Sequence, residues 1–149
     1  MIEATGKGLT GDTLVPGSAC ASAFVLDKPL SFWGGYDSGA GKIVDLGHPQ
    51  AGASLAGKVM VMPHAKGSSS SSSVLAEAVR NGTGPVAIVL KERDLIISIG
   101  AIVAAELYAI AVPVVCVTDD VYDAIVAATG EVRIDAGDGD GGARIYVGG

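Results

Sequence analysis

The sequence is poor in the residues that most often announce a chemistry. It has two cysteines, Cys20 and Cys116, and two histidines, His48 and His64, in 149 residues. Two thiolates are too few for a cubane iron–sulfur cluster, which takes three or four. Two cysteines so far apart in sequence also suggest no disulfide framework. Both are expected as small core residues, the usual place of a free cysteine. Charged residues make up only 17%, and the ten Lys and Arg form no basic stripe. With a formal net charge of −6, the chain lacks the clustered cations that bind phosphate backbones, which excludes a nucleic-acid partner. An unbroken membrane-length run is missing as well. The most apolar stretch, Ile96 to Val117, is interrupted by Gly100, Glu106 and Pro113 and splits into a helical pattern and then a strand pattern. It reads as buried core. Residues Met1 to Gly11 carry Glu3 and Lys7 and have no apolar centre, unlike a signal peptide. These absences predict a soluble, cytoplasmic protein with no membrane partner.

What is present is a rich core. Hydrophobic residues make up 49%. A chain of this length forms one domain, here taken as 1–149, and buries roughly two-thirds of its unfolded surface. So sparsely charged an exterior is suited to burial against another protein.

The first part, to about Ala56, is rich in Gly, Pro and short apolar runs and reads as irregular β structure. Within it, Ser22 to Leu26 reads as a strand, Pro29 to Tyr36 as an aromatic cluster ended by glycines, and Lys42 to Asp45 as a short strand. From Gly57 onward, strands and helices alternate. The spacing predicts strands at Lys58 to Met62, Pro85 to Leu90 and Pro113 to Val117, and helices at Ser72 to Asn81 and Ser98 to Tyr108. A third helix is capped by Asp119 or Asp120 and ends at Thr129-Gly130. Two last strands, Glu131 to Asp135 and Arg144 to Val147, flank the loop Gly137 to Gly142. Asp138 and Asp140 in that loop have incomplete calcium-ligand spacing and read as a solvated turn. Unbroken apolar strands alternating with helices imply an α/β fold with a mostly parallel central sheet.

The segment with the most chemistry runs from Pro63 through His64, Ala65, Lys66 and Gly67 into six serines, Ser68 to Ser73. A buried strand feeds a glycine turn, and the turn feeds a helix. Ligands of parallel sheets sit at the carboxyl ends of strands. A helix's first turn offers unpaired N–H groups and the positive end of its dipole. Serine hydroxyls add rotatable donors and acceptors, and Lys66 adds a cation. Together they make a site for a carboxylate or phosphate. A Gly/Ser linker has the same composition. The strand and helix that flank the run directly argue against that reading. Ser68 to Ser70, with Lys66, Gly67 and His64, are the candidate site residues. His64, without a metal-ligand partner in view, otherwise reads as an exposed loop residue. Trp33 reads as a core or interface anchor.

The stretch Pro29-Leu30-Ser31-Phe32-Trp33-Gly34-Gly35, then Gly57-Lys58-Val59, then Lys66-Gly67-Ser68-Ser69-Ser70, then Gly100 to Leu107 with Val112 to Val115, resembles the small subunit of aconitase X. The resemblance covers about Leu14 to Val117. It implies a swivelling β/β/α domain of aconitase type that closes on a larger subunit holding an iron–sulfur cluster, with no cofactor bound by this chain. The activity implied is a hydro-lyase, dehydrating cis-3-hydroxy-L-proline or mevalonate 5-phosphate. In the wider superfamily the serine after the loop glycine is the base, here Ser68. Ser70 stands where aconitases proper carry an arginine, which argues against a tricarboxylate. The Ala/Gly-rich composition and the length past Val117 look like bacterial members, which favours cis-3-hydroxy-L-proline. Two other readings compete. One is a mobile phosphocarrier domain, which the Ser98 to Leu107 stretch also resembles, although Ile99 or Gly100 stands where its phosphorylated histidine belongs. The other is a non-catalytic binding module.

Overall fold

The computed structural model describes residues 7–128, 130–137 and 142–148. In chain order its elements are β1 (Lys7–Val15), β2 (Gly17–Val25), α1 (Phe32–Gly35), β3 (Tyr36–Asp37), β4 (Lys42–Ile43), β5 (Val59–Val61), α2 (Ser71–Asn81), β6 (Ala87–Leu90), α3 (Leu95–Tyr108), β7 (Val114–Cys116), α4 (Asp119–Ala127), β8 (Glu131–Ala136) and β9 (Ala143–Val147). Seven strands close into a barrel with the neighbour order β1-β7-β6-β5-β2-β8-β9, and β9 returns to β1. The small β3–β4 hairpin stands apart.

The barrel has two halves of different character. Strands β2, β5, β6 and β7 run parallel. Strands β1, β8 and β9 join them and one another antiparallel. The α/β architecture expected from the sequence is present, and its parallel part is this four-strand strip, while the closed sheet as a whole is mixed. Alternation along the strip explains the unbroken apolar runs. Val59 and Val61 of β5, and Ala87 and Val89 of β6, point into the barrel with Val132, Ile134 and Ile145. Met60, Met62, Ile88 and Leu90 point the other way, onto Leu75 and Ala78 of α2 and Ile97, Ala101 and Ala104 of α3. A strand buried on both faces has no solvated positions left for polar residues. Each Val, Leu, Ile or Met among them, fully buried, contributes about 1.5–3 kcal/mol of transfer free energy.

The helices keep the expected positions with shifted ends. Helix α2 closes at Gly82, whose left-handed backbone (φ 76°) lets its N–H reach the carbonyls of Ala78 and Val79. Helix α3 begins three residues before the expected Ser98. Asp94 caps it, its carboxylate accepting the N–H of Ile97 at 2.7 Å. Thr118, and neither Asp119 nor Asp120, stands at the cap position of α4. The two aspartates lie in its first turn, where the dipole favours negative charge. Helix α4 ends at Ala127, before the expected Thr129-Gly130. Asp138 and Asp140 lie outside the described residues.

The N-terminal part departs most from the irregular β structure expected of it. Strands β1 and β2 are continuous, nine residues each, and supply two staves of the barrel. Gly11 marks why β1 is hard to see in the sequence. A Cβ there would lie 2.8 Å from Val117 Cγ1 and 3.0 Å from the Cys116 carbonyl oxygen, so the strand carries a glycine where its neighbour passes closest.

Candidate active site

Strand β5 stops because Pro63 has no N–H to continue the ladder. Its carbonyl instead accepts the N–H groups of Lys91 at 2.9 Å and Glu92 at 3.2 Å. That ties the loop after β5 to the loop after β6, both leaving the carboxyl edge of the parallel strip, where ligands of such sheets sit. The β5 loop then passes exposed His64, whose Nδ1 lies 3.1 Å from the Ala65 carbonyl oxygen, and exposed Lys66. It turns at Gly67 with φ 104°.

Ser68, Ser69 and Ser70 form the exposed crest, and their carbonyls accept the N–H groups of Ser71, Ser72 and Ser73 at 3.0, 3.3 and 3.1 Å. The run is therefore an ordered entry to α2. Ser70 holds the cap position, yet its hydroxyl makes no capping bond. Ser68 Oγ accepts an N–H from this turn, that of Ser70 at 3.2 Å. Ser71 is the first helical residue, one before the expected Ser72, and Ser72 Oγ donates to the Ser69 carbonyl at 2.9 Å.

Two residues outside the sequence-derived site belong to its geometry. Ser71 is buried, and its Oγ accepts the backbone N–H of Trp33 at 3.1 Å. Ser31 Oγ donates to the Trp33 carbonyl at 2.8 Å and lies 3.5 Å from Ser71 Oγ. The aromatic cluster of the N-terminal half is thus fastened beneath the serine loop. A readable signal existed for Ser71, since Ser71, Leu75, Ala78 and Val79 follow the helical spacing of an inner face. Nothing comparable marks Ser31.

Lys66, Gly67 and Ser71 line a cleft of about 120 Å³ with Ala65, Asp94 and Ile97. Helix α3 therefore starts at the same place as α2. Among the described residues Lys66 makes no ion pair, while the other cations of this edge are matched: Lys91 with Asp119 at 3.6 Å and Arg93 with Asp12 at 3.2 Å. Beside them is a larger hollow of about 410 Å³, lined by Asp12, Lys91, Cys116 and Thr118 and holding none of the sequence-derived site residues. Burial pushes the Cys116 thiol above its ordinary pKa, and its Sγ donates to the Lys91 carbonyl at 3.3 Å.

The two cysteines are placed differently from their reading. Cys20 is exposed and Cys116 half-buried, and both are free, so neither is a core cysteine. Trp33 is 57% exposed and cannot be a core anchor, which leaves an interface role open to it. His48 is buried, its Nδ1 accepting the Gln50 N–H at 3.0 Å and its Nε2 donating to the Lys28 carbonyl at 2.9 Å. That pairing fixes the neutral Nε2–H tautomer and gives His48 a structural task. The two cysteines do not fit an iron–sulfur cluster, since they sit on strands β2 and β7 with separate partners. Among the described residues no group of three or more His, Cys, Asp or Glu is arranged to hold a metal ion. No helix among them is long and apolar enough to cross a membrane.

Residues 8–141 match the family model of the aconitase X swivel domain. The chain belongs to this family. Its relatives are named as dehydratases. Over 104 residues, 70% of this chain, it is 42% identical to a cis-3-hydroxy-L-proline dehydratase of Pseudomonas aeruginosa, of whose length it spans 18%. Over 123 residues, 83% of this chain and 89% of the relative, it is 35% identical to a phosphomevalonate dehydratase small subunit of Methanothermobacter thermautotrophicus. Among solved structures, the aconitase X of Thermococcus kodakaraensis in its holo-form superposes with a TM-score of 0.76 at 31% identity. That match covers 97% of this chain and all of the other. The swivel domain thus occurs both as a separate small subunit and as about a fifth of a longer protein. The phosphocarrier likeness has no chemical counterpart here, because Gly100 packs against α2, its position 2.9 Å from the Ser72 carbonyl oxygen when a Cβ is added.

Proposed function

We propose that this chain is the serine-bearing, mobile part of an aconitase X-type hydro-lyase that dehydrates a small hydroxy acid, with Ser68 as proton acceptor. The observation that carries the reading is the setting of the Ser68 hydroxyl. It sits exposed on the carboxyl edge of the parallel strip, one residue after the Gly67 turn, and its oxygen accepts the Ser70 N–H at 3.2 Å. A serine accepts a carbon-bound proton only as its alkoxide. Backbone N–H donation, the N-terminal end of α2 and the cation of Lys66 on the same loop all favour that charge. Ser69, Ser70, Lys66, Gly67 and His64 border the same crest and are proposed to receive the substrate's carboxylate.

The iron–sulfur cluster and the rest of the substrate site are assigned to a larger partner, since the residues of this chain fit neither. The localisation that follows is cytoplasmic. The preferred substrate is cis-3-hydroxy-L-proline. A phosphorylated substrate needs cations free to meet it, and at this edge Lys91 and Arg93 are already matched by carboxylates, leaving Lys66. Mevalonate 5-phosphate is the alternative, favoured by the relative that this chain covers almost end to end.

The test is reconstitution with the larger partner and assay on both compounds. Dehydration of cis-3-hydroxy-L-proline is expected, and Ser68→Ala is expected to lower kcat by about 10²–10⁴-fold, the usual contribution of a positioned base. Turnover unchanged in Ser68→Ala rejects the base assignment. Turnover of mevalonate 5-phosphate alone rejects the preferred substrate.

A further inference from the structure

We propose that Ser31 and Ser71 are positioning residues that lock the Trp33 segment under the serine loop and thereby hold Gly67 and Ser68 in their reactive placement. This rests on the reading of Ser68 given above. The hydrogen bonds around Trp33 have one self-consistent direction. The Trp33 carbonyl can only accept, so the Ser31 proton points at it, at 2.8 Å. Ser31 Oγ then meets Ser71 as the acceptor, at 3.5 Å, so the Ser71 proton points at Ser31. Ser71 Oγ in turn accepts the Trp33 N–H at 3.1 Å. The ring starts and finishes on the backbone of one residue, and each hydroxyl donates once and accepts once.

Gly67 lies directly on this ring. A Cβ added to it would lie 2.7 Å from Ser31 Cβ and 3.2 Å from Ser71 Oγ, and closer still to Ser31 Oγ. The two hydroxyls are thus the surface on which the Gly67 backbone rests, and the next residue is Ser68. Ser71 is buried, so its hydroxyl has these partners in place of water. Residues 31 and 71 come from segments 40 positions apart. Between them they join the Trp33 segment of the N-terminal half to the first turn of α2. Ser68 itself takes no part in the ring, so the two roles are separable.

The test uses Ser31→Ala and Ser71→Ala in the complex with the larger partner, with Ser68→Ala alongside. Both ring variants are expected to lower kcat by about 100-fold, the scale of a small misplacement of reacting groups. KM should stay within about threefold, since the lost interaction is not one of uniform binding. Trp33 is the chain's only tryptophan. Its fluorescence anisotropy in the chain should fall in both variants and stay unchanged in Ser68→Ala. Parental kcat in both ring variants, or unaltered Trp33 anisotropy in both, overturns the proposal. If Ser71→Ala does not fold, Ser31→Ala, at a half-buried position, decides alone. Should Ser68→Ala keep its turnover while the ring variants lose theirs and loosen Trp33, the base assignment falls and the positioning role stands.

Discussion

The hydroxyl oxygen of Thr13 is buried without a hydrogen-bond partner, next to the register shift that β1 makes between Thr13 and Val15. A buried hydroxyl left unpaired costs more than the isosteric methyl. Thr13→Val is therefore expected to stabilise the chain by about 1 kcal/mol, read as a rise of roughly 2–4 °C in Tm. An unchanged or lower melting temperature would mean that the oxygen is served in solution. The serine crest gives the converse lesson about single residues. Ser68 is proposed on a local pattern, since the resemblance places the base directly after the loop glycine, here Gly67. The partners of Ser71 could not be read this way, because a hydroxyl's contact with a residue 40 positions away leaves no pattern in either segment. The exposure of Trp33 and Cys20 is equally invisible, since side-chain type alone does not say which face of a strand or turn reaches solvent.

Elements were legible in proportion to how local their stabilisation is. Strands β5 and β6 and helices α2 and α3 announce themselves by apolar period, and the structure moves their ends by a few residues. Strand β1 does not, because its apolar pattern is broken by Gly8 and Gly11 and its pairing partners, β7 and β9, come a hundred and more residues later. The closure of the barrel depends on those long-range pairs and could not be read from any one segment. One end remains strained. Helix α3 terminates at Ala109 in the left-handed region, φ 56°, the only such non-glycine among the described residues. A Cβ in that conformation costs about 1 kcal/mol or more. Ala109→Gly is expected to recover about that much, and urea denaturation should show a higher midpoint with the same slope. A lower midpoint would show that the side chain packs better than its backbone suggests.

For the molecule as a whole, the unmatched surface is the informative one. Leu95, Ile99 and Ile102 stand on one face of α3 at 73%, 41% and 45% exposure. The row begins beside Asp94 and Ile97, which line the cleft with Lys66 and Gly67. It is thus continuous with the proposed site, where the proposed larger partner would close. The double variant Leu95→Asp, Ile99→Asp should leave the chain's Tm within about 2 °C, as expected for exposed positions. It should weaken capture of the larger partner by about tenfold or more. Undiminished capture would place the contact elsewhere. The registers of the barrel also fix what its rim can offer. Lys7 pairs with Val147 across the β1–β9 ladder, and Val147 with Val132 of β8, at the end of the barrel where the parallel strands finish. The first and last described strands are thus neighbours, and every barrel strand is paired on both sides. A closed wall offers no strand edge for another chain to extend, so recognition at the rim that carries the serine crest has to come from side chains and loops.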